Sequence, residues 1–328
     1  VLQLINARDI ESGEVIAFSA IEQQLAESLA SQAAVALTQR RLNSELQVLF
    51  ESFIRMIASA IDDKSPYTGG HCRRIPVLTM LLAEATHSTE RGPLKDFRIT
   101  DKDRYELETA AWLHDCGKVV TPEYVMDKAT KLETIYDRID ALEARFEIMR
   151  RDAEIEYLRA RIDKSSDCSD QQLSRAFEQK CQSFQRDFEF LRKANIGGEF
   201  MREEDVSRIR QLAALKWTDA SGQGRALLND DEVMNLSIQR GTLNDAEREV
   251  INNHIVATIK MLESLPFPKH LQKVPEYAGG HHEKMDGSGY PRGLRREQMS
   301  VQARIMAIAD IFEALTASDR PYKKGKKL

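Results

Sequence analysis

The chain has 328 residues, 42% hydrophobic and 30% charged, a balance that suits a globular protein with solvated helices rather than a disordered or fibrous one. Its formal charge of −5 excludes a global basic field, so no DNA or RNA polymer is expected as a partner and an anionic ligand must be held by local cations or metal. Four cysteines without a CxxC pair, and no apolar run near the roughly 20 residues that span a bilayer, point to reduced thiols, a cytoplasmic location and no membrane segment in this fragment.

Nine prolines and 16 glycines leave room for long helices. Residues 1–18 read as strand, turn, strand, too little for a stable sheet of its own. The run LINARD…GEVIAFS…LAESLASQAAVAL is similar to the last strands and closing helix of GAF domains, which implies that residues 1–42 are the end of a sensor whose ligand-contacting part lies upstream. A helix is expected from 20 to about 59, with Leu25, Leu29, Leu42, Leu46, Leu49, Phe53, Ile57 and Ile61 forming an apolar stripe. It reads either as a two-stranded linker between protomers or as a helix packed on its own domain.

Residues 101–120 read as a helix ending in Trp112-Leu113-His114-Asp115-Cys116-Gly117-Lys118. Between about 130 and 215 the chain is charged and helical, within a segment of about 130–235 that reads as an insertion. Leu132, Ile135, Ile139, Leu142, Phe146, Met149 and Ala153 keep a 3,4 spacing, turn residues occupy 165–170, and Leu173, Phe177, Cys181, Phe184, Phe188 and Leu191 form a second stripe. Two such helices make an antiparallel hairpin, expected to serve as a packing or dimer arm. A capping pattern over Thr242-Leu243-Asn244-Asp245-Ala246-Glu247 opens a helix bearing His254, residues 279–291 read as a glycine-rich loop, and a helix from about 301 to 317 carries Asp310. Lysines 323, 324, 326 and 327 form a solvated tail.

The seven histidines fall at 71, 87, 114, 254, 270, 281 and 282. His114-Asp115 is an adjacent imidazole–carboxylate pair and His281-His282 an imidazole pair in a loop; both suit divalent metal, although neither doublet is specific alone. The ordered set HDCGK, a helical histidine, HHEKMDGSGYP and AIADIFEALTASDRPY resembles the HD-GYP phosphodiesterases, a branch of the HD superfamily of metal-dependent phosphohydrolases. The resemblance covers about residues 50–125 and 235–325.

It implies an all-α fold: an HD-type helical bundle over 43–328, interrupted by the hairpin and preceded by the short β remnant. It implies hydrolysis of a cyclic dinucleotide, cyclic di-GMP or cyclic GMP-AMP, to a linear dinucleotide or GMP. It makes His114, Asp115, His254, His281, His282 and Asp310 metal ligands, with Asp115 bridging two ions and His71 a further ligand or a neighbour of the cluster. Iron or manganese is the expected metal. In the trinuclear branch an acidic residue stands four positions before that last histidine; Tyr67 stands there here, so two ions are expected. Gly289, Tyr290 and Pro291 form the signature triplet, and Arg320 and Lys323 match cations that contact substrate phosphate. His87 and His270 fall outside every motif. The segment after HDCGK is about 90–110 residues longer than in ordinary members, and the closing helices usual after DRPYKKG are absent from the sequence, which reads as a piece of something longer.

The chemistry has its own logic. A phosphodiester needs a nucleophile at neutral pH and neutralisation of charge on phosphorus oxygens, and two ions about 3.5–4 Å apart supply both. Lys118, three residues after Asp115, is expected on the ligands' helix face, where its ammonium stabilises that charge or protonates the leaving oxygen. Two other readings stay open: a catalytically weak cyclic-dinucleotide receptor acting through partners, and an HD hydrolase of mononucleotides. A homodimer through the linker helix or the hairpin is the expected assembly.

Overall fold

The computed structural model describes residues 4–64, 70–163, 169–198 and 200–317. The chain divides into two compact units, Val1–Ile57 and Ala58–Leu328. The first holds residues ahead of and along α1 (Ala20–Lys64), a single 45-residue helix. Among the described residues no strand pair forms ahead of it. One bridge, Arg8 to Val15, is all that remains of the expected strand–turn–strand. Asp9 explains the turn, its carboxylate accepting from the amides of Glu11 and Ser12. With no third strand to bury a face, the pairing does not propagate.

Among its described residues the second unit is all-α apart from one two-stranded sheet. Its bundle comprises α2 (His71–His87), α3 (Asp101–Leu113), α9 (Asp245–Glu263), α10 (Val274–Gly279) and α11 (Val301–Thr316). Ile75, Ala83, Leu107, Ala110, Ala111, Ile255, Leu262, Val274, Ala278, Ala303 and Ala309 are buried, so small residues let these short helices lie close. Capping boxes open α3 at Thr100/Asp103 and α9 at Asn244/Glu247, the second as the sequence suggested.

The helix expected over 101–120 is not continuous. It stops at Leu113, His114 and Asp115 make a turn, and a 3-10 helix runs over Cys116–Val120. The cause lies at Gly117: a Cβ there would sit 2.0 Å from the His254 carbonyl oxygen and 2.5 Å from the Thr258 amide nitrogen. Only a bare backbone lets this turn press against α9, where the Gly117 amide donates to Thr258 Oγ1 at 2.9 Å.

The stretch between α4 (Glu123–Met126) and α9 has a core of its own. Helices α5 (Ile139–Ile162) and α6 (Asp170–Asn195) pair antiparallel, with Phe146 against Phe184 and Phe188 near the base, and Tyr157 stacked on Phe177 towards the tip. The expected seam is shorter than its spacing suggested: Leu132 is buried ahead of the helix, and Ile135 is 96% exposed. Beyond α6 the chain folds into elements that its apolar spacing does not announce: α7 (Glu203–Ala213), the hairpin of β1 (Lys216–Thr218) and β2 (Gly224–Ala226), and α8 (Asp230–Leu236). These elements cover the base of the arm, burying Leu142, Leu191, Ile209, Leu227 and Leu236 in one cluster.

Candidate metal centre

Five segments deliver seven polar side chains to one place. His71 opens α2, His114 and Asp115 form the turn after α3, His254 lies in the middle of α9, His281 and His282 come after α10, and Asp310 lies on α11. Asp115 is at the middle. Its Oδ2 is 3.3 Å from His71 Nε2 and 3.2 Å from His114 Nε2; its Oδ1 is 3.4 Å from His254 Nε2 and 3.9 Å from His281 Nε2. His71 Nε2 is 3.4 Å from Asp310 Oδ1, and His282 Nε2 is 3.2 Å from His254 Nε2. Three overlapping donor groups result: His254, His281 and His282; His71, His114 and Asp310; and His114, Asp115 and His281.

The backbone selects the tautomers. His114, His254 and His281 each place Nδ1 within 2.5–2.7 Å of a carbonyl three residues back, on Ala111, Ile251 and Ala278. A carbonyl only accepts, so Nδ1 carries the hydrogen and Nε2 keeps its lone pair. His71 uses a carboxylate instead, with Glu313 Oε2 2.6 Å from its Nδ1. Glu313 is braced in turn by the Arg74 guanidinium.

This arrangement fits a cation. His71 Nε2 and His114 Nε2 are 3.2 Å apart, each ring having Nδ1 already engaged with an acceptor. That approach calls for a positive charge between or beside them, a proton on His71 or a bound cation. Asp115 Oδ1 and His281 Nε2 are buried with no hydrogen-bond partner, a state that costs about 1–3 kcal/mol per group without a ligand. Burial and the neighbouring imidazoles push His281 down to about 4 and His282 down to about 2, so both stay neutral donors. Burial also works against the His71 cation, but hydrogen bonds with Asp115 and Glu313 outweigh it and raise His71 to about 9, so without metal its Nε2 holds a proton that a bound cation would displace. Burial disfavours the Asp115 carboxylate too, and Lys118 with the histidines overcomes that, leaving it well below the usual range.

Lys118 Nζ is 2.6 Å from Asp115 Oδ2. The residue reaches the cluster as expected, but through the 3-10 turn rather than a shared helix face. Tyr290 stacks on His282, ring centroids 4.9 Å apart, beside the centre. Gly289 makes this possible: a Cβ there would lie 2.3 Å from the Lys284 amide nitrogen and 2.5 Å from the Glu283 Cα. Glu283, unmarked by sequence reasoning, holds the loop by accepting from the amides of Arg292 and Leu294 at 2.7 and 2.8 Å. Pro291 comes next in the same loop, whereas Arg320, Lys323 and Tyr67 lie outside the described residues. Glu313 was also missed, although it stands three residues after Asp310, one helical turn along the same face. His87 and His270 are elsewhere, accepting from the Ile99 amide and stacking on Tyr105.

Residues 226–328 match the profile of a family described as the HD domain. This part of the chain is an HD domain. The HD domain match includes His254, His281, His282 and Asp310, while His71, His114 and Asp115 precede it, on the other side of the α5–α6 arm. Curated relatives agree. The chain is 43% identical over 121 residues to 3'3'-cGAMP-specific phosphodiesterase 3 of Vibrio cholerae, covering 36% of this chain and 24% of that protein. It is 40% identical over 91 residues to a cyclic di-GMP phosphodiesterase of Thermotoga maritima, 28% of this chain and 24% of the relative. It is 33% identical over 125 residues to the cyclic di-GMP phosphodiesterase response regulator RpfG of Xanthomonas campestris, 38% and 30%. The chain thus spans under a third of the length of these relatives. Among the described residues no helix is long and apolar enough to cross a membrane.

Proposed function

We propose that the chain is a metal-dependent phosphodiesterase that opens a cyclic dinucleotide, cyclic di-GMP or 3'3'-cGAMP, to a linear dinucleotide or GMP. The observation that carries this reading is the gathering of His71, His114, His254, His281, His282 and Asp310 around the Asp115 carboxylate, with ring nitrogens aimed inwards. The names of the relatives supply the substrate class. Both carboxylate oxygens of Asp115 face imidazoles on opposite sides, which suits a bridge between two sites, one formed by His71, His114 and Asp310 and the other by His254, His281 and His282. His71 then counts as a ligand.

Two divalent ions, iron or manganese, would supply an activated water and positive charge for the phosphate. The protein's own groups do the rest. Lys118 brings an ammonium to the same carboxylate; from there it can neutralise charge developing on the phosphate or give a proton to the departing ribose oxygen. Glu313 and the backbone carbonyls keep the imidazole hydrogens on Nδ1 and leave Nε2 pointing at the centre. Tyr290 offers a ring face beside His282 on which a guanine can stack and a hydroxyl that burial keeps protonated, its pKa pushed up to about 12. Gly289 and Pro291 set the path of that loop, and Arg320 and Lys323 are the proposed phosphate contacts beyond it.

In the wider organisation we take residues 1–42 as the end of a GAF-like sensor and 43–328 as the catalytic domain, with a cytoplasmic location suggested by the free, buried thiols of Cys72 and Cys116. A homodimer through α1 is proposed from the exposure of Leu42, Leu46, Leu49, Phe53 and Met56, which repeat at a 4,3,4,3 spacing.

The test is an assay of the purified chain with cyclic di-GMP and with 3'3'-cGAMP, products separated by chromatography and metal measured in the same sample. Turnover of one or both by metal-loaded protein is expected. Tight binding without product would favour the receptor reading, and hydrolysis confined to mononucleotides would favour the other hydrolase.

A further inference from the structure

The last turn of α1 contributes no ligand, yet it grips two of the segments that do. Asp62 is buried and faces the start of α2. Its Oδ2 accepts from the Gly70 amide at 3.1 Å and its Oδ1 from the Cys72 amide at 3.2 Å, on either side of His71. Gly70, in the left-handed region at φ 92°, offers no side chain to cap this helix, so a carboxylate from another helix meets the free amides and the positive end of the dipole. Two residues later, Lys64 Nζ donates to the carbonyls of Lys118, Val119 and Thr121 at 3.2, 2.6 and 2.6 Å. An ammonium has three hydrogens, and three carbonyls at the end of the 3-10 turn take them. This is the turn that carries Asp115 at its head and Lys118 within it. Ala58 and Ile61, on the same stretch of helix, are buried, which seats the gripping residues in the bundle.

We infer that Asp62 and Lys64 are positioning residues, which hold the His71 segment and the Asp115–Lys118 segment to one helix end and so set the spacing of the metal centre. A ligand set functions only when held within about 0.5 Å of its working geometry. His71 and Asp115 come from different segments, and their 3.3 Å approach is underwritten by the two adjacent clasps. A shift of the end of α1 therefore reaches both halves of the centre together. The clasp has this role only if the cluster is a metal centre, as proposed for it.

The experiment measures Mn2+ affinity by calorimetry, and thermal unfolding, for the full chain and for K64M, D62A and K64R. K64M and D62A are expected to bind Mn2+ about 10–100-fold more weakly, the usual penalty for losing a group that orients ligands. K64R, which keeps a multidentate cation, is expected to stay within about threefold of the parent, a rescue that a mere loss of stability would not predict. Should K64M fail to fold, K64Q, whose amide serves fewer carbonyls, carries the same comparison with a smaller loss. Parent-like affinity in K64M or K64Q together with D62A overturns the clasp. A parent chain that binds no Mn2+ at all would instead overturn the metal-centre reading.

Discussion

The bundle around Asp115 and the arm built from α5 and α6 belong to the same compact unit, but they bury opposite kinds of chemistry. The arm's base encloses Leu132, Leu142, Phe146, Leu191, Ile209, Leu227 and Leu236, and its buried charges are met: Lys131 by the carbonyls of Leu236 and Ile238 at 3.0 and 2.7 Å, Glu232 by the Arg145 guanidinium at 2.7 Å. The bundle buries His71, His114, Asp115, His254, His281 and Glu313 and leaves Asp115 Oδ1 and His281 Nε2 without partners. Beside α8 one hydroxyl, Ser237 Oγ, is buried without a partner, whereas the bundle leaves a carboxylate oxygen and an imidazole nitrogen unpartnered 3.9 Å apart, the pattern expected where polar groups are kept for a ligand. The contrast separates scaffold from site without reference to any motif.

The sharpest way to break the contrast is Asp115→Ala. Removing the shared carboxylate should abolish bound metal and lower turnover by about 10³-fold, the several kcal/mol expected of metal-ion catalysis, while the helical signal persists. Retained metal in a metal analysis would place the centre elsewhere. In the arm, Leu191→Ala should cost about 2–5 kcal/mol in denaturant unfolding, because Leu191 is fully buried, and should leave metal content unchanged. Metal loss at equal folding would show that the arm belongs to the site.

Lys131 sharpens the comparison through pH. Burial lowers its pKa from 10.5 to about 8, so between pH 8 and 10.5 the unfolded chain binds more protons than the folded one and stability rises with pH. The full increment is up to about 3 kcal/mol. Lys131→Met should lack it, and the difference between the two unfolding profiles should shrink from pH 8 to 10.5; parallel profiles would mean that the ammonium is not disfavoured in the fold. The smallest effect is expected at the loop. Tyr290→Ala should raise KM for the cyclic dinucleotide about tenfold, roughly 1.4 kcal/mol of stacking, with metal content intact. A change in metal content instead would make the ring a brace for His282.

Much of the site was legible because the chemistry needs rare residues. Six of the proposed ligands fall within the segments HDCGK, INNH, HHEK and AIAD, and their helices are announced by caps such as Asn244/Glu247. The arm was half legible. Its apolar stripes revealed two paired helices, but the cover of α7, β1, β2 and α8 was hidden, because an 11-residue helix and three-residue strands leave little periodicity to detect. The break after Leu113 was also hidden, since the steric demand at Gly117 comes from α9, more than 130 positions away.

By itself the sequence determined which side chains are candidate metal ligands, where several of the helices begin, and that no basic field exists to hold a polyanion. Tertiary structure alone decided that Glu313 hydrogen-bonds His71 across 242 positions, that Asp62 and Lys64 clasp two ligand segments, and that Lys118 arrives on a turn. The reason is physical: caps and periodicity act over a few residues along the chain, whereas the partner of a buried polar atom is chosen by which segments pack together.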